Sequence, residues 1–251
     1  VIRFAPRPGT AAAAALLGAL ALPALAGAQS APDFLFKDPR VSLSLRMGYS
    51  LPTVASDVFD FTRTELTVSD SDFHSASWGA QLAIRTSERV DVAIDVGFSK
   101  STTRSEYREW VDQDDLPIEQ DTEFRRVPLT VGAKVYLAER GRRIGRFAWI
   151  PEKWVPFVGA SAGWVWYEFI QEGDFVDFET LGIGYDRFTS GGAAPTIHVF
   201  GGADWSLNPS LFLTAEGRYA WAKADMDRDF VNFDRIDLSG FQASAGISLR
   251  F

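Results

Sequence analysis

Apolar and polar side chains exchange places at every second position in eight separate runs of this chain. In residues 41–49, Val41, Leu43, Leu45, Met47 and Tyr49 share one face. Residues 77–85 group Trp78, Ala80, Leu82 and Ile84, and residues 90–98 group Val90, Val92, Ile94, Val96 and Phe98. Residues 127–137, 157–166, 197–207 and 211–221 repeat the pattern. So does 240–251, with Phe241, Ala243, Ala245, Ile247, Leu249 and Phe251 on one side. A period of two marks a strand whose two faces meet different surroundings. Each run has about the nine to eleven residues that a tilted strand needs to cross a bilayer.

The connections alternate as well. Residues 86–89 and 208–210 are tight turns built from turn-forming residues, and 138–154 is a longer, basic connection. Between these lie four long segments, near 50–75, 100–122, 168–194 and 222–237, which read as loops. Short connections at one end and long ones at the other predict an all-β fold. It is an eight-stranded antiparallel up-and-down transmembrane β-barrel with short periplasmic turns and long extracellular loops. Closing the sheet leaves no open edge.

Alternation alone does not say which face points out. The set opposite the apolar residues holds Gly48, Gly79, Gly132, Gly163 and Gly246 together with charges. A soluble barrel would turn that set to water and bury the Val, Leu and Trp set. Two patterns favour the reverse. Tyr49, Trp78, Phe98, Trp166, Tyr219 and Trp221 fall at the long-loop end, with Trp205 and Phe251 at the other. Two such aromatic girdles are expected at two membrane interfaces. Glycines on the opposite face suit a narrow bore, where small and long side chains interleave. The lumen then receives Arg46, Arg85, Lys134, Arg218 and Arg250 with Asp91, Asp95, Asp204 and Glu216. Near-balance of sign predicts a self-paired plug, because unpaired buried charge is costly. A symmetric hairpin around residues 87–88 sets Arg85 opposite Asp91.

The beginning of the sequence has a different character. Arg3 and Arg7 precede an Ala- and Leu-rich stretch ending in Ala26-Gly27-Ala28, the pattern of a signal peptide cleaved after Ala28. The domain reading is therefore signal peptide 1–28, a short periplasmic segment 29–39, and a barrel over 40–251. Setting the first 28 residues aside leaves 23 basic against 33 acidic residues, a net charge of −10. That balance argues against a nucleic-acid partner, whose binding rests on Lys and Arg neutralising phosphates. With no Cys, disulfides and thiolate metal sites are excluded.

Four stretches carry a resemblance: PFVGASAGW (156–164), RRVPLTVGAKVYL (125–137), GGADWSLNPSLFLTAEGRY (201–219) and the ending ISLRF (247–251). Over residues 40–251 the chain resembles the small outer-membrane β-barrel proteins, the OmpA/OmpX-like group. The resemblance implies export to the bacterial outer membrane and contact with outer-membrane lipids and lipopolysaccharide. It implies a monomeric barrel, and an assembly signal in Ile247, Leu249 and Phe251 read by the barrel-assembly machinery. It identifies an architecture rather than an activity.

Sites of chemistry are scarce. Some eight-stranded barrels trim or acylate lipid A with a His beside a Ser and an acid. Here His74 shares a strand face with Ala76, and His198 has Phe200 as its lumen-face neighbour, so no catalytic residue is assigned. Asp225, Asp227 and Asp229 have the spacing of a calcium loop. Phe230 stands where that loop needs Gly, and Ile236 where it needs Glu, so the three read as solvated carboxylates. No metal or cofactor motif is found. In the basic connection, Arg140, Arg142, Arg143 and Arg146, with Trp149 and Trp154, fit either inner-leaflet headgroups or a plain solvated turn. The function expected is a non-catalytic scaffold that presents its loops for adhesion, recognition or membrane integrity, with a possible extracellular ligand on those loops. The alternative is a narrow pore or lateral path for small solutes. A lipid A-modifying enzyme is the third reading.

Overall fold

The computed structural model describes residues 34–145, 148–177, 180 and 182–251. The signal peptide and its cleavage point lie outside these described residues, as does Arg146.

In chain order the elements are β1 (Val41–Pro52), α1 (Asp57–Glu65), β2 (Ser75–Arg85), β3 (Val90–Val111), β4 (Pro117–Tyr136), β5 (Gly141–Ile144) and β6 (Ala148–Pro151). Then come β7 (Trp154–Val176), β8 (Ile183–Ser206), β9 (Leu211–Trp221), β10 (Lys223–Ala224), β11 (Ile236–Asp237) and β12 (Gly240–Arg250). Eight of these close a barrel in the order β1-β12-β9-β8-β7-β4-β3-β2. Each neighbouring pair is antiparallel, and β12 joins β1 through pairs from Ser42–Arg250 to Pro52–Gly240. The β2–β3 and β8–β9 turns are tight, with Thr86 N–H bonded to the Val90 carbonyl and Leu207 N–H to that of Leu211.

The apolar set points outward. Leu45, Met47, Ile94, Val131, Val158, Ile197 and Ile247 are each 45–58% exposed, while Asp91, Asp95, Lys134, Asp204 and Glu216 inside are at most 6% exposed. A continuous apolar belt around a charged interior is the reverse of a soluble barrel, and lipid is the solvent that belt fits.

Two of the four expected loops are not loops. Segments 100–122 and 168–194 are mostly the outer halves of β3, β4, β7 and β8. β8 has 24 residues. At about 3.3 Å per residue it is about 80 Å long, roughly twice what a bilayer crossing requires.

The alternation survives this extension but its sense inverts. One outward row reads Phe98, Val127, Trp166 and Ala193 across the four long strands; the next reads Lys100, Arg125, Glu168 and Gly191. Two rows further on it reads Arg104, Asp121, Glu172 and Arg187. Opposite-charge neighbours pair on this outer surface, as in Lys100–Glu123 (2.8 Å) and Arg125–Glu168 (2.6 Å). The inward face changes from one carrying Asp95, Thr130 and Ser161 to one that mixes buried Phe124, Phe169 and Tyr107 with buried uncharged polar groups such as Ser101, Ser105, Gln120 and Thr122. Below this step the wall is apolar outside and carries the charges inside. Above it the charges lie outside and the inside holds aromatic and uncharged polar groups, as in a water-soluble protein.

The four long strands form a half-cylinder, and segments 53–74 and 222–239 fold into its hollow. Helix α1 buries Val58, Phe59 and Thr62. Asp57 and Asp60 in its first turn and Arg63 in its last suit the helix dipole. Phe59 meets the rings of Phe73, Phe124 and Phe169 edge-on at 4.9–5.7 Å. Ile118, Phe230, Ile236 and Leu238 complete this apolar core. A cap therefore closes one end of the barrel.

Extending half a barrel exposes two strand edges, which would otherwise invite pairing with another chain. On the β3 edge, Thr67 N–H donates to the Glu106 carbonyl (2.8 Å). On the β8 edge the acceptors are carboxylates: Gly191 N–H donates to Asp227 (2.9 Å) and Thr189 N–H to Asp229 (3.0 Å). Pro195 continues the same phase of β8 and has no N–H to leave unmade. The alternate-Asp spacing thus matches the two-residue repeat of a strand edge. Asp225, Asp227 and Asp229 are exposed, as expected, and Asp227 and Asp229 in addition cover the β8 edge. Replacing both Asp227 and Asp229 by Ala is expected to weaken this edge by about 1 kcal/mol per lost bond. Hydrogen exchange should then quicken at Thr189 and Gly191, with no change at Ala83 or Ala93.

Candidate functional site

The lumen is where chemistry concentrates, and its centre is a closed ring of four charges. Arg46 Nη1 donates to Glu216 (2.9 Å), and its Nη2 pairs with Asp95. Arg218 donates to Asp95 (2.8 Å) and twice to Glu216 (2.9 and 3.0 Å). The side chains come from β1, β3 and β9 and are at most 7% exposed. Arg46 crosses the bore because its register partners on both sides are Gly246 and Gly79. A Cβ on Gly246 would sit 2.1 Å from the Leu45 carbonyl and 2.8 Å from Arg46 Cγ. Two cations and two anions, each bonded to both partners of opposite sign, repay much of the desolvation that burial imposes. Gln81 adds a bond to Asp95 (3.2 Å).

A second layer lies nearer the short-turn end. Lys134 donates to both oxygens of Asp204 (3.0 and 3.2 Å), and Thr214 donates to the same carboxylate (2.9 Å). The Lys134 ammonium also sits 3.7 Å from the Phe157 ring centroid. Phe157, Phe200 and Tyr136 form an inward aromatic cluster that the apolar-out pattern did not anticipate.

The third layer corrects two expectations. Arg85 and Asp91 are register partners in the β2–β3 hairpin, but their charges pair elsewhere. Asp91 accepts from Arg140 (2.6 Å), and Arg85 lies 3.6 Å from Asp38. Arg140 arrives from the 138–154 connection and turns into the lumen rather than to solvent or headgroups, while Arg142 and Trp154 stay exposed. Its β5–β6 hairpin folds under the barrel with Trp149 only 3% exposed, and residue 35 bonds to Trp149 through both backbone groups. Arg143 pairs with Asp38, and that hydrogen bond holds the Asp38 carboxyl below its usual range. Arg250 donates to Ser206 (2.8 Å) and lies over Phe212 (4.2 Å) and Trp149 (5.5 Å).

At the cap end, Arg126 closes the bore. It donates to the carbonyl of Leu238 (2.8 Å) and to Ser50 (2.7 Å), joining β4 to β1 and the cap. Sequence reasoning missed Arg126, and it placed Arg140 at headgroups or in solvent rather than on Asp91. Arg126 lies beside the step where the alternation inverts, and Arg140 lies in a connection with no period at all.

His198 accepts at Nδ1 from Arg218 (3.3 Å), so its Nε2 carries the proton offered to Thr196 (3.1 Å). Its partners are thus a cation and a hydroxyl rather than an acid and a nucleophile. His74 meets Tyr49 edge-on at 6.1 Å. Among the described residues, no group of three or more His, Asp or Glu is placed to hold a metal ion.

On the outside, Tyr49, Trp78, Phe98, Trp166 and Trp221 are exposed on the rim below the charged rows, and the Tyr219 ring lies tilted against Trp221 at 4.7 Å. Trp205 and Trp154 are register partners on the opposite rim, with Phe251 also exposed there. Ile247 and Leu249 lie on β12, whose last residues bond to β1 through Val41 and Phe251.

No protein-family model and no curated protein matches the sequence. Among solved structures the chain is similar to the outer membrane protein OprG from Pseudomonas aeruginosa. That match has 9% identity, covers 86% of this chain and 97% of that chain, and has a TM-score of 0.45. It is also similar to Neisserial surface protein A, at 12% identity over 89% of this chain and 100% of that one, with a TM-score of 0.44. A third is the outer membrane protease OmpT from Escherichia coli, at 10% identity, 88% and 99% coverage and a TM-score of 0.40. By its closed eight-stranded sheet, apolar outside and charged inside, the chain is a barrel of the outer-membrane type.

Proposed function

We propose that this protein is a non-catalytic barrel of the bacterial outer membrane that carries a folded head above the surface. The head, not the bore, meets partners in adhesion, recognition or envelope packing. The observation that carries this reading is closure of the bore by the Arg46–Asp95–Arg218–Glu216 ring. Arg126 and the cap lie on one side of it, and Arg140 and Trp149 on the other. A side-chain-filled bore suits an eight-stranded barrel, which is only wide enough for its own side chains. Loops grafted on such a base are a common place for function.

A transport reading has one observation in its favour. A cavity of about 50 Å³ lies beside Arg126, His198 and Arg218 and reaches the wall at Phe241. Recording pure protein in planar bilayers separates the two readings. The closed-base reading predicts a flat baseline, and steady unitary steps would make the bore a path. A lipid A-modifying reading finds no His–Ser–acid arrangement in support among the described residues.

In this account Tyr49, Trp78, Phe98, Trp166, Tyr219 and Trp221 anchor the outer interface, and Trp205 the inner one. Ile247, Leu249 and Phe251 act as the assembly signal. Deleting Phe251 is expected to lower the folded, heat-modifiable fraction in the outer membrane several-fold, and unchanged yield would remove that role.

A further inference from the structure

The short-turn end of the lumen holds more positive charge than its carboxylates neutralise. A cavity of about 30 Å³ there is lined by Arg85, Asp91, Tyr136, Arg140, Ser206 and Arg250, among others. Its two carboxylates are already engaged, Asp204 by Lys134 and Asp91 by Arg140. Arg85 has Asp38 as its acid. Arg250 has no carboxylate within 4 Å among the described residues. Its Nη2 is bonded to Ser206, but its Nε is buried with no hydrogen-bond partner at all. An unmade bond on a buried charged donor is among the more destabilising features a fold can carry, and a counter-ion removes it.

We propose that this cavity binds one small monovalent inorganic anion of halide size, held by Arg250 and Arg85 with the Ser206 hydroxyl beside it. Size favours the class. About 30 Å³ suits a body the size of one water molecule better than phosphate or a carboxylate. Access is from the short-turn end, where a broader basin shares Arg40, Arg85 and Trp149 with the cavity. Lys37, Arg40, Arg85 and Arg143 outnumber Asp38 and Glu88 around that basin, so its field draws anions inward. The bound ion joins the end of β12, the strand that closes the barrel, to the wall near the β5–β6 hairpin. The site does not depend on whether the bore conducts.

The test is the unfolding temperature of the full folded chain in detergent, with sodium chloride or bromide replacing sodium gluconate at constant ionic strength. The site predicts a saturating rise with either halide, about 5–10 °C at 100-fold excess over the dissociation constant. Arg250→Gln should flatten that response, read as the difference between halide and gluconate midpoints of the same variant, because the change also removes the contacts to Ser206, Phe212 and Trp149. Bromide-soaked crystals of the unaltered protein should show an anomalous peak between Arg250 and Arg85. They supply the answer if the variant does not fold. A midpoint blind to the choice of anion, a halide response undiminished in Arg250→Gln, or an empty cavity in bromide would overturn the proposal.

Discussion

Replacing Glu216 by Ala should lower the midpoint of heat unfolding by on the order of 10 °C without opening a steady current. Glu216 accepts three of the bonds that hold Arg46 and Arg218, and its side chain is 2% exposed. Its loss leaves two guanidinium groups sharing Asp95. Removing one partner of a buried ion pair costs about 3–5 kcal/mol, and 1 kcal/mol is about 2–4 °C in a domain of this size. Water entering the vacated space offsets part of that cost, so the low end of the range is the better guide. The bore stays shut because Arg126 with the cap and Arg140 with Trp149 close it independently. Asp114, exposed in the β3–β4 turn, is the matched control, and its Ala variant should melt with the unaltered protein. A Glu216→Ala variant of unchanged midpoint that passes ions would reverse the argument.

The second large effect should appear at Phe59 and stay local. Phe59 is fully buried and packs against three other rings. Truncating such a side chain to Ala costs about 3–5 kcal/mol. Most of what it touches belongs to the cap or to the strand ends around it. Phe59→Ala should therefore expose residues 53–74 to protease and hydrogen exchange, while the membrane-level barrel keeps its heat-modifiable migration. Phe61, on the other side of α1 and 38% exposed, should tolerate the same change. If Phe59→Ala melts the whole barrel, the cap and the barrel are one cooperative unit. If neither variant alters protection, the cap core is not what holds the cap in place.

The strands that end near the membrane boundary were the legible part of the fold. The runs 41–49, 77–85 and 211–221 lie within or coincide with β1, β2 and β9, and residues 240–250 are β12. The long strands were read only as far as Phe98, Val127 and Trp166. Beyond them Lys100, Arg125 and Glu168 occupy the outward positions, so a reader following apolar residues stops there. The period of two continues through them. What changes is the solvent outside, and only the neighbouring strands show that it has. Which charges lie inside could be read from the phase, since Arg46, Asp95, Glu216 and Arg218 share one face of their strands. Their pairing could not, because partners 49, 123 and 170 residues apart meet across the bore. Arg85 illustrates the limit: the register with Asp91 follows from the hairpin, but Arg140 comes from a separate hairpin and takes the carboxylate.

The wall passes from lipid to water partway along the long strands, and that step can be located directly. The sequence contains no Cys, so single substitutions report without background. The informative set on β3 is Ile94→Cys, Val96→Cys, Thr102→Cys and Arg104→Cys, all at exposed outward positions. In protein reconstituted into liposomes, a membrane-impermeant maleimide should label positions 102 and 104 and leave 94 and 96 unmodified until the lipid is dissolved. Equal labelling of all four in intact liposomes would mean that no part of this strand faces lipid, and the barrel would not be a membrane protein.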